Sequence, residues 1–220
     1  MRAMILAAGR GERMRPLTDT RPKSMLSLQG RPIIQHHVEH LVNANIRDIV
    51  INYGRFGDQI ESFLGDGTEF GARVHYSPEH GQLLDTGGGI RRVLPQLGEE
   101  PFLVINADIW TDYDLSRLSL ADDDLALLVM VDNPPYHPEG DFVLEGDRLV
   151  TEGGPKLTFS GLGIYRPALF RRTQETSFPL GPLLREAMST GKIAGEHFRG
   201  RWIDIGTPER LLEAQSLLEQ

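Results

Sequence analysis

Ala3 to Ala8 is an unbroken apolar run that stops at Gly9, the mark of a buried strand feeding a loop. Behind Pro32, the residues Ile33, Ile34, His37, Val38, Leu41 and Val42 recur at three- and four-residue spacing. That spacing puts them on one face of a helix whose first position is proline. Asp48 to Asn52 reads as a second strand, Phe56, Ile60, Phe63 and Leu64 as one face of a second helix, and Arg73 to Ser77 as a third strand. Gly89 to Leu97 is again helical, Pro101 to Ile105 is a buried strand, and Leu125 to Val131 is the next. Strand and helix alternating in this way predict a parallel sheet covered on both faces.

The pattern changes near residue 133. Asn133-Pro134-Pro135 to Gly140 is rich in turn formers, and Asp141 to Thr151 predicts a hairpin turning at Gly146-Asp147. Phe159 to Tyr165 reads as a strand and Pro179 to Ser189 as a helix. Two short strands, near 193–198 and 201–205, are expected to pair with each other. They lead into a helix with Thr207 as its cap and Pro208 at its first position. No repeat, low-complexity tract or linker interrupts the chain. The expectation is one domain over 1–220 with halves 1–132 and 133–220, the second an elaboration on the sheet.

Composition narrows the possible functions. A net charge of -8 argues against bulk binding of nucleic acid or an anionic membrane. No apolar run reaches the roughly 20 residues of a membrane span, and the start lacks the pattern of a signal peptide. There is no cysteine, which suits a cytoplasmic protein. A monomer or weak dimer is expected. In so acidic a chain, the crowding of Arg10, Arg13, Arg15 and Lys23 around Gly9 and Gly11 is informative.

A glycine-rich turn after the first strand points to phosphate binding, because bare backbone N–H groups can approach an anion closely. Glycine for turn geometry alone is the plainer alternative. The standard phosphate fingerprints do not fit. Met14 stands where a dinucleotide loop needs its third small residue, and Pro22 precedes Lys23-Ser24 where a P-loop needs glycine. The longer string does match a pattern. LAAGRGERMRPLT, followed by RPKSMLSLQGRPII, resembles the signature of the sugar-1-phosphate nucleotidyltransferases. Leu6, Ala7, Ala8, Gly9, Gly11, Arg13, Pro16, Leu17, Thr18, Pro22, Lys23, Gly30 and Pro32 occupy its places.

The resemblance continues to RWIDIGTPERLLEA. It implies a Rossmann-like, doubly wound α/β fold of the nucleotide-diphospho-sugar transferase type. The sheet would be mostly parallel, with helices on both faces and a smaller β-rich insertion. The left-handed β-helix domain of many relatives is not expected. It also implies a reaction in which the phosphate of a sugar 1-phosphate attacks a nucleoside triphosphate, with Mg²⁺ as cofactor. Bringing two anions together calls for donors and cations more than covalent catalysis. The loop and Arg13 would hold the triphosphate tail, and Lys23 would sit between the two phosphates. Leu6, Ala7, Ala8, Gly9, Gly11 and Glu12 would complete that wall.

Asn106-Ala107-Asp108 follows an apolar strand, at the end where open α/β sheets bind ligands. Asp204 follows another apolar pair and precedes the capped helix. Either aspartate alone reads as a turn residue. The resemblance makes Asp108 and Asp204 the Mg²⁺ ligands and, with Arg13 and Lys23, the catalytic set. It makes Glu79, Leu83, Thr86 and Gly87 the base-reading segment, with Asn106 beside the nucleotide. For the sugar it implies the stretch His137 to Phe142 with Ser160-Gly161, of which Gly140, Asp141, Ser160 and Gly161 are the candidate contacts.

His36, His37 and His40 do not form the H-E-x-x-H zinc pattern and read as helix residues. Among short members, the segments LDTGGG, NADIWTDYD, VDNPPYHPEGDF, LTFSGLGIY and GEHFRGRWIDIGTPERL are most similar to the uridylyltransferases of bacterial cell-wall recycling, which use UTP. Ser24 where relatives often carry proline, and Asp85 where glutamate or glycine is common, depart from that pattern. Two alternatives stand beside it: the same reaction on mannose 1-phosphate and GTP, and a nucleotide-sugar sensor that binds without turnover.

Overall fold

The computed structural model describes residues 1–79, 81, 84–171, 173 and 175–219. β1 (Ala3–Ala7) runs into the glycine loop, followed by a short antiparallel pair, β2 (Ser27–Leu28) and β3 (Arg31–Pro32). α1 (Ile33–Asn43), β4 (Asp48–Tyr53), α2 (Asp58–Leu64) and β5 (Arg73–Pro78) come next. Then follow α3 (Asp85–Arg92), α4 (Leu94–Leu97), β6 (Phe102–Asn106), β7 (Ile109–Thr111) and β8 (Ala126–Val131). The second half adds the hairpin β9 (Phe142–Glu145) and β10 (Arg148–Val150), the long β11 (Lys156–Tyr165), α5 (Pro167–Phe170) and α6 (Leu180–Met188). It ends with β12 (Ile193–His197), β13 (Trp202–Asp204) and α7 (Pro208–Leu218).

Among the described residues, nine strands form one sheet in the order β5-β4-β1-β6-β11-β8-β12-β10-β9. β5, β4, β1 and β6 are parallel, as strand–helix alternation requires. β11 enters antiparallel between β6 and β8, so the second half is built into the sheet and not laid on its edge. The expected pairing of the last two strands does not form. β12 joins β8 in parallel, whereas β13 crosses over to pair with β7 in a separate ribbon. A second departure is the start of α3 at Asp85, ahead of the expected Gly89. Gly87 and Gly88 sit inside this helix because the 176–178 segment presses on it. A Cβ at Gly87 would fall 2.3 Å from Phe178 Cε2, and one at Gly88 2.4 Å from the Thr176 carbonyl oxygen.

The period-two alternation of the strands sorts the core. Ala3, Ile5, Leu103 and Ile105 face one side with Val38 and Leu41 of α1 and Ile60 of α2. Met4, Phe102 and Val104 face the other with Ile90 of α3, Phe170 of α5 and Leu184 of α6. A third cluster joins Met14, Leu26, Leu28 and Ile33 to Ile203, Ile205, Leu211 and Ala214. It clamps the loop after β1 to the β13–α7 corner. The central strands set the level of everything at their carboxyl ends. Leu103 is fully buried in β6, so Leu103→Ala should lower unfolding free energy by about 2–5 kcal/mol. Urea denaturation measures this. A loss under about 1 kcal/mol would show that the sheet relaxes around the deletion and holds no fixed register there.

Candidate active site

The strand register assembles the first part of the site. Leu6 in β1 lies opposite Asn52 in β4 on one side and opposite Asn106 in β6 on the other. Three strand ends therefore arrive at one level, where parallel sheets open to ligands. Asn52 is almost wholly buried and fully used: its Oδ1 accepts the Ala7 N–H at 2.9 Å and its Nδ2 donates to Glu79 Oε1 at 2.8 Å. Burial pushes the Glu79 carboxyl above the usual carboxylate range, opposed by this hydrogen bond and by the charge of Arg92.

These residues floor a cavity of about 400 Å³. Leu6, Ala7, Ala8, Gly9, Lys23, Glu79, Thr86, Asn106 and Asp108 of the expected set line it. Arg10, Ser24, Asn52, Asp85 and Ser177 also line it. Gly11, Glu12 and Gly87 do not. Gly11 is a turn residue at φ 65°, its carbonyl accepting the Thr18 hydroxyl at 2.7 Å. Glu12 points to solvent beside Arg10, and Gly87 is buried beneath Phe178. The glycine pattern marked these positions correctly as needing no side chain, but at Gly87 the space is taken by protein. Leu83 lies outside the described residues.

A second cavity, about 320 Å³, adjoins the first and shares Asn106 and Asp108 with it. Asp141, Ser160, Gly161 and Asp204 of the expected residues line it, together with Tyr136, His137 and Trp202. Arg13 belongs to this cavity, not to the first, away from the loop wall where it was expected. β11 is bulged between Phe159 and Gly163, and Gly161 there has φ 81°. A Cβ on it would lie 2.6 Å from Asn106 Nδ2, so the bulge and the glycine together admit the asparagine. Gly140 is absent from the lining. At φ 63° it is packed against Asn133 and Lys156, a turn residue supporting its neighbour Asp141. Asp141 accepts the Phe159 N–H at 2.8 Å and faces His137 Nε2 at 3.2 Å.

The acids meet where the cavities join. β13 pairs with β7 so that Asp204 lies opposite Ile109, and the Ile205 N–H donates to the Asp108 carbonyl at 2.7 Å. Each carboxylate has its own cation. Lys23 Nζ is 2.5 Å from Asp108 Oδ2, and Arg210 Nη1 is 2.5 Å from Asp204 Oδ2. The other oxygen of Asp204 is buried with no hydrogen-bond partner.

A model described as nucleotidyl transferase matches residues 2–142. The chain is 48% identical to an N-acetylmuramate alpha-1-phosphate uridylyltransferase of Neisseria meningitidis serogroup B, over 99% of this chain and 98% of that one. The chain belongs to the nucleotidyl transferase family. A Caulobacter vibrioides protein of the same description is 33% identical, with 99% and 97% covered. In fold, this nucleotidyltransferase superposes on a Bacillus anthracis crystal structure in complex with a sucrose, at a TM-score of 0.86 and 22% identity over 99% and 94% of the two chains.

The donor set of the nucleotidyltransferase suits a hard divalent cation. Asp108 and Asp204 offer carboxylate oxygens, and the unpartnered Oδ1 of Asp204 is a lone-pair donor without an assignment in the protein. No group of three acidic or histidine side chains among the described residues could enclose a metal unaided. Two carboxylates with substrate oxygens and water make up the kind of shell Mg²⁺ accepts. No helix among the described residues is long and apolar enough to cross a membrane. His36 and His40 each hydrogen-bond a backbone carbonyl, of Leu28 and Tyr113, at 2.9 Å.

His37 is buried beside Ala107 of the acidic turn, its Nε2 without a hydrogen-bond partner. Burial, then the neighbouring His40, lowers its pKa from 6.5 to about 4. Because the folded value lies below the unfolded one, this stabilising contribution is complete above pH 6.5 and is lost as pH falls towards 4. The loss at pH 4 should be on the order of 3 kcal/mol. Melting curves across that range should show a steeper acid decline for the parent than for His37→Asn. Parallel declines would rule out His37 as the source.

Proposed function

We propose that this enzyme transfers a uridylyl group from UTP to N-acetylmuramate α-1-phosphate, yielding UDP-N-acetylmuramate and pyrophosphate for cell-wall recycling in a bacterial cytoplasm. The observation that carries the reading is the junction of two cavities at the Lys23–Asp108 pair, one cavity floored by the Gly9 loop and one by the β11 bulge. Two cavities sharing one charged wall suit two anionic substrates whose reacting atoms must meet. Near-complete coverage of both uridylyltransferase relatives supports the choice of UTP and of the sugar.

In this reading an oxygen of the sugar phosphate forms a bond to the α-phosphorus as the bond to the bridging oxygen breaks and pyrophosphate leaves. The first cavity takes the nucleotide, with bare backbone at Ala8 and Gly9 against the phosphates. Lys23 lies between the cavities and neutralises charge as the two phosphates converge. The second cavity takes the sugar, with Asp141 held by Phe159 and His137 in position to accept from a hydroxyl or amide. Mg²⁺, held by Asp108 and Asp204, supplies further neutralisation of the phosphate oxygens when bound.

Pyrophosphate release from each common nucleoside triphosphate against a panel of sugar 1-phosphates tests the assignment. Selective turnover of UTP with N-acetylmuramate α-1-phosphate is expected. Preference for GTP with mannose 1-phosphate, or binding with no release, would replace it with one of those readings. Lys23→Ala should reduce kcat by roughly a hundred- to thousandfold, about 3–4 kcal/mol of transition-state stabilisation, while nucleotide binding weakens far less. Near-parental turnover would exclude Lys23 from the reacting centre. Asp108→Ala and Asp204→Ala should each abolish most activity, and the double variant should be little worse than the worse single one. Additive losses would mean that the two carboxylates do not act as a unit.

A further inference from the structure

Arg210 is a puzzle on the reading above. It sits in the first turn of α7, 8% exposed, and is not part of either cavity lining. A guanidinium taken that far out of water is costly unless its partners are well placed. Its carboxylate partner is Asp204, at 2.5 Å. Its Cζ lies over the ring of Tyr136, from the turn-rich loop of the second half, 4.1 Å from the centroid, and the Tyr136 hydroxyl accepts from the guanidinium. The local sequence is shaped around this contact. Thr207 caps α7 and its hydroxyl accepts the Arg210 N–H at 3.4 Å, which sets where the side chain leaves the helix. At Gly206 a Cβ would lie 2.6 Å from Arg210 Nη2 and 2.8 Å from Asp204 Oδ1, so a side chain there would displace one or both groups.

From this geometry we infer that Arg210 is a positioning residue for Asp204, and that Tyr136 clamps it from the sugar side. The guanidinium takes Oδ2 of the carboxylate and orients Oδ1, which has no protein partner. Tyr136 is half exposed, lines the second cavity, and covers the outer face of the guanidinium. An occupant of the second cavity therefore meets the ring whose other side holds Arg210, and through it the orientation of the Asp204 carboxylate. Arg210 lines neither cavity. This inference rests on the proposed reading of Asp204 as a cation ligand.

Direct binding of Mn²⁺, followed by its electron paramagnetic resonance signal in the presence of a non-hydrolysable UTP analogue, tests it apart from turnover. Arg210→Met should weaken Mn²⁺ binding and lower kcat by roughly 10–100-fold, the usual effect of removing an outer-shell partner of a metal ligand. Its KM for UTP should stay near the parental value. Arg210→Lys should recover part of the loss, since it restores the charge without the plane that stacks on Tyr136. Tyr136→Phe keeps the ring and loses the hydroxyl's bond to Arg210, so its Mn²⁺ binding should fall between that of the parent and that of Tyr136→Ala. Tyr136→Ala, at a half-exposed position where folding is safe, should shift Mn²⁺ binding in the same direction as Arg210→Met. Parental Mn²⁺ affinity in Tyr136→Ala and in folded Arg210→Met would overturn the role of Arg210. Failure of the parent itself to bind Mn²⁺ would overturn the cation reading beneath it. Failure of the parent to use UTP while still binding Mn²⁺ would strike the substrate assignment alone.

Discussion

The site depends on one patch of apolar contact whose members flank its charged groups along the chain. Met14, Leu26 and Leu28, from the chain just after β1, are buried against Ile203, Ile205, Leu211 and Ala214 near the other end. At roughly 1.5–3 kcal/mol for each large side chain removed from water, this cluster is strong enough to hold two distant stretches in register. Lys23 sits beside the first stretch and Asp204 inside the second. Without that contact the main sheet could still form, because its two cores draw on other residues. The placing of Asp204 beside Asp108 would then rest on the short β7–β13 ribbon and the bond from the Ile205 N–H to the Asp108 carbonyl.

Charge is managed locally in a chain that is acidic as a whole. Asp108 and Asp204 stand close together near partly buried surface, where two unpaired carboxylates would repel each other and pay for lost hydration. Lys23 and Arg210 each neutralise one of them. The two pairs differ in kind. Lys23 carries a compact charge on a flexible stem and lines the first cavity, so it is free to follow an occupant there. Arg210 is locked between a carboxylate, an aromatic ring and a capped helix. One cation is placed to move and the other to stay.

Much of this was legible in the residues. Apolar runs located β1, β4, β5 and β6, helical spacing located α1, and the resemblance pointed to Gly9, Lys23, Asp108 and Asp204, which line one or other of the two adjoining cavities. What escaped were relations between elements. A period of two reports which face of a strand is buried, and says nothing of its neighbour. The insertion of β11 beside β6 and the pairing of β13 with β7 were invisible for that reason. Asn52 looked like one polar residue in an apolar strand until the register set it level with Leu6. Gly87 and Gly140 read as room for a ligand and turned out to be room for Phe178 and for a turn. Tyr136 and Arg210 lie far apart in sequence and meet only where the turn-rich loop packs against the start of α7.

The contact between the two ends of the fold also orders events in time. Met14 leaves the ribosome early, and Ile203 follows only after roughly 10–40 s of synthesis at about 5–20 residues per second. Strands β1, β4, β5 and β6 can align during that interval, and the first cavity can take shape. Asp108 emerges with them, yet Asp204 and its arginine arrive almost last. Until they do, the nascent chain exposes the apolar side of Met14, Leu26 and Leu28 to water. A half-made enzyme would therefore hold its first hollow without its second acid, along with a sticky patch where its own missing corner belongs.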